Sequence, residues 1–75
     1  MTTDDSPFVE FTRAGPTTYG GVVLRVNQIK AVEQGPNSIA MVVLFEEMKG
    51  YDYFWTQEPY TVVRERVFAA RNEQP

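Results

Sequence analysis

The stretch Ser38-Ile39-Ala40-Met41-Val42-Val43-Leu44-Phe45, then Glu46-Glu47-Met48-Lys49-Gly50, then Tyr51-Asp52-Tyr53-Phe54-Trp55-Thr56, decides the fold. An apolar, β-branched run meets a polar turn ending in glycine and returns as an aromatic run, which is the signature of a β-hairpin. In the first arm Ile39, Met41, Val43 and Phe45 fall on one face and Ala40, Val42 and Leu44 on the other. Both faces are apolar, which predicts a central strand covered on two sides. In the second arm Tyr51, Tyr53 and Trp55 oppose Asp52, Phe54 and Thr56, giving one wide aromatic face. Residues 46–50 suit a type I turn closed by glycine in the left-handed region.

Upstream of the hairpin the pattern stays β. Phe8-Val9-Glu10-Phe11-Thr12-Arg13 reads as a first strand in which Val9, Phe11 and Arg13 share a face, with Phe8, Glu10 and Thr12 on the other. Residues 14–20 carry a Gly-Pro step and turn-forming glycines. Gly21 either opens the next strand or sits in a bulge that needs positive φ. Val22-Val23-Leu24-Arg25-Val26 is a second strand by its β-branched content. Asn27-Gln28 interrupts the pattern, and Ile29 and Val32, three apart, fit a helical turn or a bulge better than a regular strand. The reading is a kink at Asn27-Gln28 leading into a third strand, closed by a turn at Gln34-Gly35-Pro36-Asn37.

Downstream the period lengthens. Thr56 is a candidate helix N-cap, and Glu58 and Pro59 suit a first turn, the carboxylate for the helix dipole and proline for its dispensable N–H. Tyr60, Val63, Val67 and Ala70 then share one helical face, and Arg71 complements the dipole at the far end. Val62 and Phe68 lie off that stripe; Phe68 either leans onto the sheet or contacts another chain. The expected fold is α+β (mainly β), a four- to five-stranded antiparallel β-meander with one C-terminal amphipathic helix packed on the sheet. Residues 1–6 are expected to be a flexible tail, 7–71 a single domain and 72–75 a frayed end.

A chain of 75 residues makes one small domain. It buries only about 60% of the surface its unfolded form exposes, and a folding free energy of roughly 3–5 kcal/mol is expected. Cysteine and histidine are both absent, so neither a disulfide nor the usual zinc site can staple it. Oligomerisation is the remaining route, and one Trp, four Tyr and five Phe favour it. The lack of cysteine fits a reducing compartment. Ten acidic against seven basic side chains leave a net charge of −3, which disfavours nucleic acid and anionic membrane surfaces as main partners. The opening Met-Thr-Thr-Asp-Asp-Ser-Pro is not that of a signal peptide. The longest apolar run, residues 39–45, is far short of the roughly 20 residues a membrane helix needs. A soluble, cytoplasmic protein with no membrane partner is expected.

Composition also removes most catalytic chemistry. Histidine-dependent catalysis and cysteine nucleophiles are excluded, and Ser6 and Ser38 lack the usual base of a serine hydrolase. Glu46, Glu47 and Asp52 gather near the hairpin turn, where a solvated turn is the better reading than a weak cation site or an acid–base pair. Residues 15–21 superficially resemble a phosphate loop, but its lysine and Ser/Thr would fall at Gly21 and Val22. The expectation is a protein that is not an enzyme, with no catalytic residue, no metal ligand and no cofactor. What remains is the aromatic arm. Tyr51, Tyr53, Phe54 and Trp55 are residue types that fill a core, anchor a protein interface or stack single-stranded bases. Base-stacking sheets interleave aromatics with basic residues, and here Lys49 is the hairpin's sole one. The helix adds Arg64, Arg66 and Arg71 against Glu65, a small positive patch.

Several of these segments resemble the FlbD/SwrD family of small flagellar and swarming-motility proteins. Phe11-Thr12-Arg13 resembles that family's opening strand, and Val26-Asn27 with Ile29-Lys30-Ala31-Val32-Glu33 is similar to its leucine–asparagine step and following I-x-x-I-E. The strand of residues 39–44 and the passage from Trp55-Thr56-Gln57-Glu58 into Val63 and Val67 are similar too, so the likeness spans residues 11–67. This chain departs from the pattern in its longer first loop, its acidic hairpin turn and its more aromatic second arm. The resemblance implies a non-enzymatic motility accessory and carries over no catalytic residue.

The sequence therefore points to a non-enzymatic protein-binding module, a regulator or accessory of a larger assembly or of a homo-oligomer. Its partner-binding residues would be Tyr51, Tyr53, Trp55, Phe68 and Arg64. Single-stranded nucleic-acid binding through the same face is the alternative.

Overall fold

The computed structural model describes residues 5–15, 20–48 and 50–73. The ends of the expected tails, residues 1–4 and 74–75, and most of the first loop lie outside them. The elements are β1 (Phe8–Thr12), β2 (Gly21–Arg25), β3 (Ile29–Gln34), β4 (Ile39–Met48), β5 (Tyr51–Pro59) and α1 (Tyr60–Asn72). The fold is mainly β, with five antiparallel strands and a C-terminal helix packed on them. The strands do not form one continuous meander: β1 pairs with β2, and β3–β4–β5 form a second sheet.

Alternation explains the first sheet. Val9 pairs with Leu24 and Phe11 with Val22, and all four are buried, while Phe8 and Val23 face out. At the end of β2 the pattern breaks at Val26, which leaves the strand for a single 3₁₀ turn over Val26–Gln28. The Gln28 side chain accepts from the Arg25 N–H at 2.8 Å, and the Val26 N–H donates to Pro7 O at 2.9 Å. This turn swings the chain into the second sheet, and the register slips between Ile29 and Ala31. The three-residue spacing of Ile29 and Val32 in the sequence reflects that irregularity.

A 3₁₀ turn at Pro36–Ser38 joins β3 to β4, with Asn37 (φ 57°) and Ser38 (φ 64°) in the left-handed region that asparagine tolerates. The β4–β5 connection is tighter than residues 46–50. The strand runs to Met48, which pairs with Tyr51, and Gly50 takes φ 87°. Irregularity inside the ladder absorbs the slack, because residues 44–47 lie opposite Asp52 alone. Nor is β4 covered on both faces. Ala40, Val42 and Leu44 are buried, but Ile39, Met41 and Val43 are half-buried and Phe45 is exposed.

Thr56 does not cap the helix. It is fully buried in β5, which continues to Pro59, and α1 starts at Tyr60. Thr56, Gln57 and Glu58 lie opposite the single residue Ala40, a bulge that opens the ladder. The Thr56 hydroxyl fills the gap, accepting from the Ala40 N–H at 3.3 Å and donating to Glu58 O at 2.9 Å. Thr56→Val preserves shape but removes both bonds, and is expected to lower the unfolding free energy by about 1–2 kcal/mol in urea titration.

One core serves both sheets and the helix. Val9, Phe11, Val22, Leu24, Val26 and Ile29 meet Ala40, Val42, Leu44 and Phe54 beneath Val63, Val67 and Ala70. Tyr60 packs half-buried at its margin, as the helical stripe predicts. The Arg71 guanidinium donates to Ile29 O at 3.0 Å and that of Arg66 to Glu10 O at 3.0 Å, so α1 is tied to both sheets. The sheets also join directly: Arg13 bridges Thr56, and the Ala14 N–H donates to Trp55 O at 2.8 Å. Ser6, assigned to the tail by its composition, is buried, and its carbonyl accepts from Arg25 at 2.6 Å. No helix among the described residues is long and apolar enough to cross a membrane.

Candidate aromatic binding face

The second sheet has an outer face that the helix does not cover. Directly opposed residues in an antiparallel ladder share a face, so Glu33, Met41 and Trp55 form one outward row and Ala31, Val43 and Tyr53 the next. Tyr53 is 47% exposed, and Tyr51, two residues along the strand, is 59% exposed. Phe45, two residues beyond Val43 in β4, is 65% exposed. Desolvating such rings is the main favourable term that a partner would gain.

Trp55 behaves differently from the two tyrosines. It is half-buried, and its ring lies flush against Gly35 in the β3–β4 turn. A Cβ at Gly35 would fall 2.3 Å from Trp55 Cζ3 and 3.0 Å from Cε3. Trp55 is therefore a packing residue that borders the face. Phe54, on the opposite side of the strand, is buried against Phe11 with ring centroids 6.4 Å apart.

Phe68 and Arg64 belong to the helix layer, and the structure does not bring them to the aromatic arm. Phe68 does not lean onto the sheet; it is 67% exposed and borders a shallow hollow with Arg64 and Glu65. The Arg64 guanidinium sits 5.9 Å from the Tyr60 ring centroid. Glu46, Glu47 and Asp52 are exposed on β4 and β5, and among the described residues no three acidic side chains stand together to hold a metal ion.

Phe45 was hidden from sequence reasoning because it sits in an apolar run that reads as doubly covered. Arg13 was visible, since its alternation with Val9 and Phe11 places it on the inward side of β1. It lines a cavity of about 200 Å³ beside β5, together with Leu44, Met48, Tyr51, Tyr53, Phe54 and Trp55.

Glu58 is the most constrained carboxylate described. Its oxygens accept from the Thr12 N–H at 2.9 and 3.0 Å and from the Thr12 hydroxyl at 3.1 Å, and Arg66 lies 3.3 Å away. Burial pushes its pKa up, but bonds from Thr12 and its own backbone, with the Arg66 charge, outweigh this and hold it below the ordinary 4.5. The node clamps β5 to β1 and α1; its groups satisfy one another, which marks it as structural. No protein-family model matches the chain, and no curated protein or solved structure matches it either.

Proposed function

We propose that this domain is a non-enzymatic module that binds protein through the outer face of β4 and β5, as a regulator or accessory of a larger assembly. The observation that carries the reading is the exposure of Phe45, Tyr51 and Tyr53 along the β4–β5 hairpin. Three large exposed aromatics on so small a domain are a concentration of the residue types that anchor interfaces. A standard interface takes about 800 Å² per partner, roughly 15% of the 5274 Å² surface of this chain. Acidic residues around the face, Glu33, Glu46, Glu47 and Asp52, favour protein over nucleic acid as the partner. A flagellar or swarming assembly is the instance that the motif resemblance names.

The test is capture from lysate of the source organism on immobilised wild type and on a Phe45→Ser/Tyr51→Ser variant, both checked for fold by circular dichroism. Sedimentation of the purified protein runs alongside to detect self-association. Loss of two anchors is expected to weaken the partner, or the self-association, by roughly 30-fold or more. Retention of the same partner by the variant would remove the face from the mechanism. Salt-sensitive quenching of Trp55 fluorescence by an oligonucleotide would favour the nucleic-acid alternative instead.

A further inference from the structure

The cavity beside β5 carries a positive charge that no carboxylate among the described residues pairs with. Arg13 has no carboxylate within ion-pairing distance, the ion pair among the described residues being Glu58–Arg66. Its Nε is sealed from water and makes no hydrogen bond, while its guanidinium carbon lies 5.6 Å from the centroid of the Phe54 ring. The remaining lining is Ala14, Leu44, Met48, Tyr51, Tyr53 and Trp55 and contains no acidic residue, so the cavity shares Tyr51 and Tyr53 with the aromatic arm. A buried polar group without a partner is costly and uncommon.

The backbone around this arginine is fixed. The Arg13 N–H donates to Gly20 O at 3.2 Å, and Arg13 O accepts from the Gln57 side chain at 3.1 Å. The charge is thus held beside a recess lined by both aromatic or aliphatic carbon and polar atoms, a preorganised arrangement for a planar anion on an apolar stem. The setting also favours an extended chain over a free small molecule. The segment after β1 meets β5 only at the Arg13–Thr56 bridge and the Ala14–Trp55 hydrogen bond among the described residues. From there to Tyr51, the edge of β5 away from β4 pairs with no described strand. An added peptide running along that edge would place alternate side chains toward the cavity.

The geometry points to this cavity as an anchor site for an acidic side chain, carried next to an apolar residue on an extended segment of a partner protein, with Arg13 as its counter-ion. The inference deepens the protein-binding reading above by naming the chemistry that the partner must present.

The test is an NMR titration of the ¹⁵N-labelled full chain, following the Arg13 Nε–H and Trp55 indole resonances. The probes are phenylacetate, its neutral isostere phenylacetamide, acetyl-Phe-Glu-Phe-amide and the corresponding glutamine peptide. Phenylacetate is expected to move the Arg13 resonance saturably, with phenylacetamide at least tenfold weaker. The glutamate peptide should bind more tightly than phenylacetate, and the glutamine peptide at least tenfold more weakly than the glutamate one. Arg13→Met should erase the charged-over-neutral preference and Arg13→Lys retain part of it; if either variant misfolds, the wild-type comparison alone decides. Equal binding of charged and neutral probes, shifts that leave Arg13 unmoved, or no binding would overturn the inference. A peptide no tighter than phenylacetate would overturn the protein segment in favour of a small carboxylic acid. No arm uses the Phe45/Tyr51 variant or a captured partner, so failure here leaves the outer-face reading standing on its own test.

Discussion

Glu58→Ala is expected to cost about 2–3 kcal/mol of unfolding free energy, because it strands the Thr12 N–H and hydroxyl in a partly buried site and removes charge-assisted bonds. Against a total of roughly 3–5 kcal/mol for a domain this small, the melting temperature should fall by roughly 10–20 °C. The Arg66 contact is a minor part of this, since Arg66 is 47% exposed and such pairs contribute about 1 kcal/mol or less. The pH dependence separates the charge from the shape. The Glu58 carboxyl is held below its ordinary 4.5 in the folded protein, so the unfolded chain takes up the proton more readily. Its contribution is complete above pH 4.5 or so and is lost as the pH falls through the folded value. The stability gap between wild type and Glu58→Gln should therefore be constant near neutrality and narrow on acidification. A gap that stayed constant down to pH 3, or widened, would show that the carboxylate charge is not what holds the node.

The role of Glu58 shows where local sequence signals give way to tertiary structure. Thr-Gln-Glu-Pro before an apolar stripe with helical period is a reasonable helix start, and the stripe itself, Val63, Val67 and Ala70, does face the core. The same four residues also suit a strand end when another strand supplies their partners. Here β1 arrives beside them, the Thr56 hydroxyl bonds Ala40, and Glu58 reaches Thr12, 46 residues away in sequence. Local propensity contains no information about that approach. Strand alternation was legible at Val9, Phe11, Val22 and Leu24 because each strand has one wet face and one dry one. It misled at β4, where an apolar face stays uncovered.

That uncovered face is also why the candidate site was only partly readable. Tyr51 and Tyr53 are exposed as their alternation with buried Phe54 implies. Phe45, on the apolar strand, joins them because the helix covers the opposite face of the sheet. Phe68 and Arg64 share residue type with interface anchors but not position with the arm, since the helix holds them on another layer. For Arg13 the signal was present, an arginine in register with two core residues, but its meaning depended on a cavity that no residue pattern describes.

The separation of Trp55 from the tyrosines rests on its contact with Gly35, and Gly35→Ala tests it. The glycine has extended backbone, φ −101° and ψ −171°, which alanine adopts freely, so the substitution introduces no conformational strain of its own. Its cost is steric: a methyl carbon 2.3 Å from the indole ring forces the ring away or the β3–β4 turn open. An overpacked contact of this kind should cost about 2 kcal/mol, a fall of roughly 10 °C in melting temperature, with a red shift of Trp55 emission as the ring meets water. Trp55→Leu removes the opposing ring, and in that background Gly35→Ala should cost at least 1 kcal/mol less, a coupling that only residues in contact show. Additive losses with unchanged emission would mean that Trp55 does not rest on the turn. The ring would then be free to serve with Tyr51 and Tyr53 as a third anchor, and the face that a partner meets would extend across the β3–β4 turn.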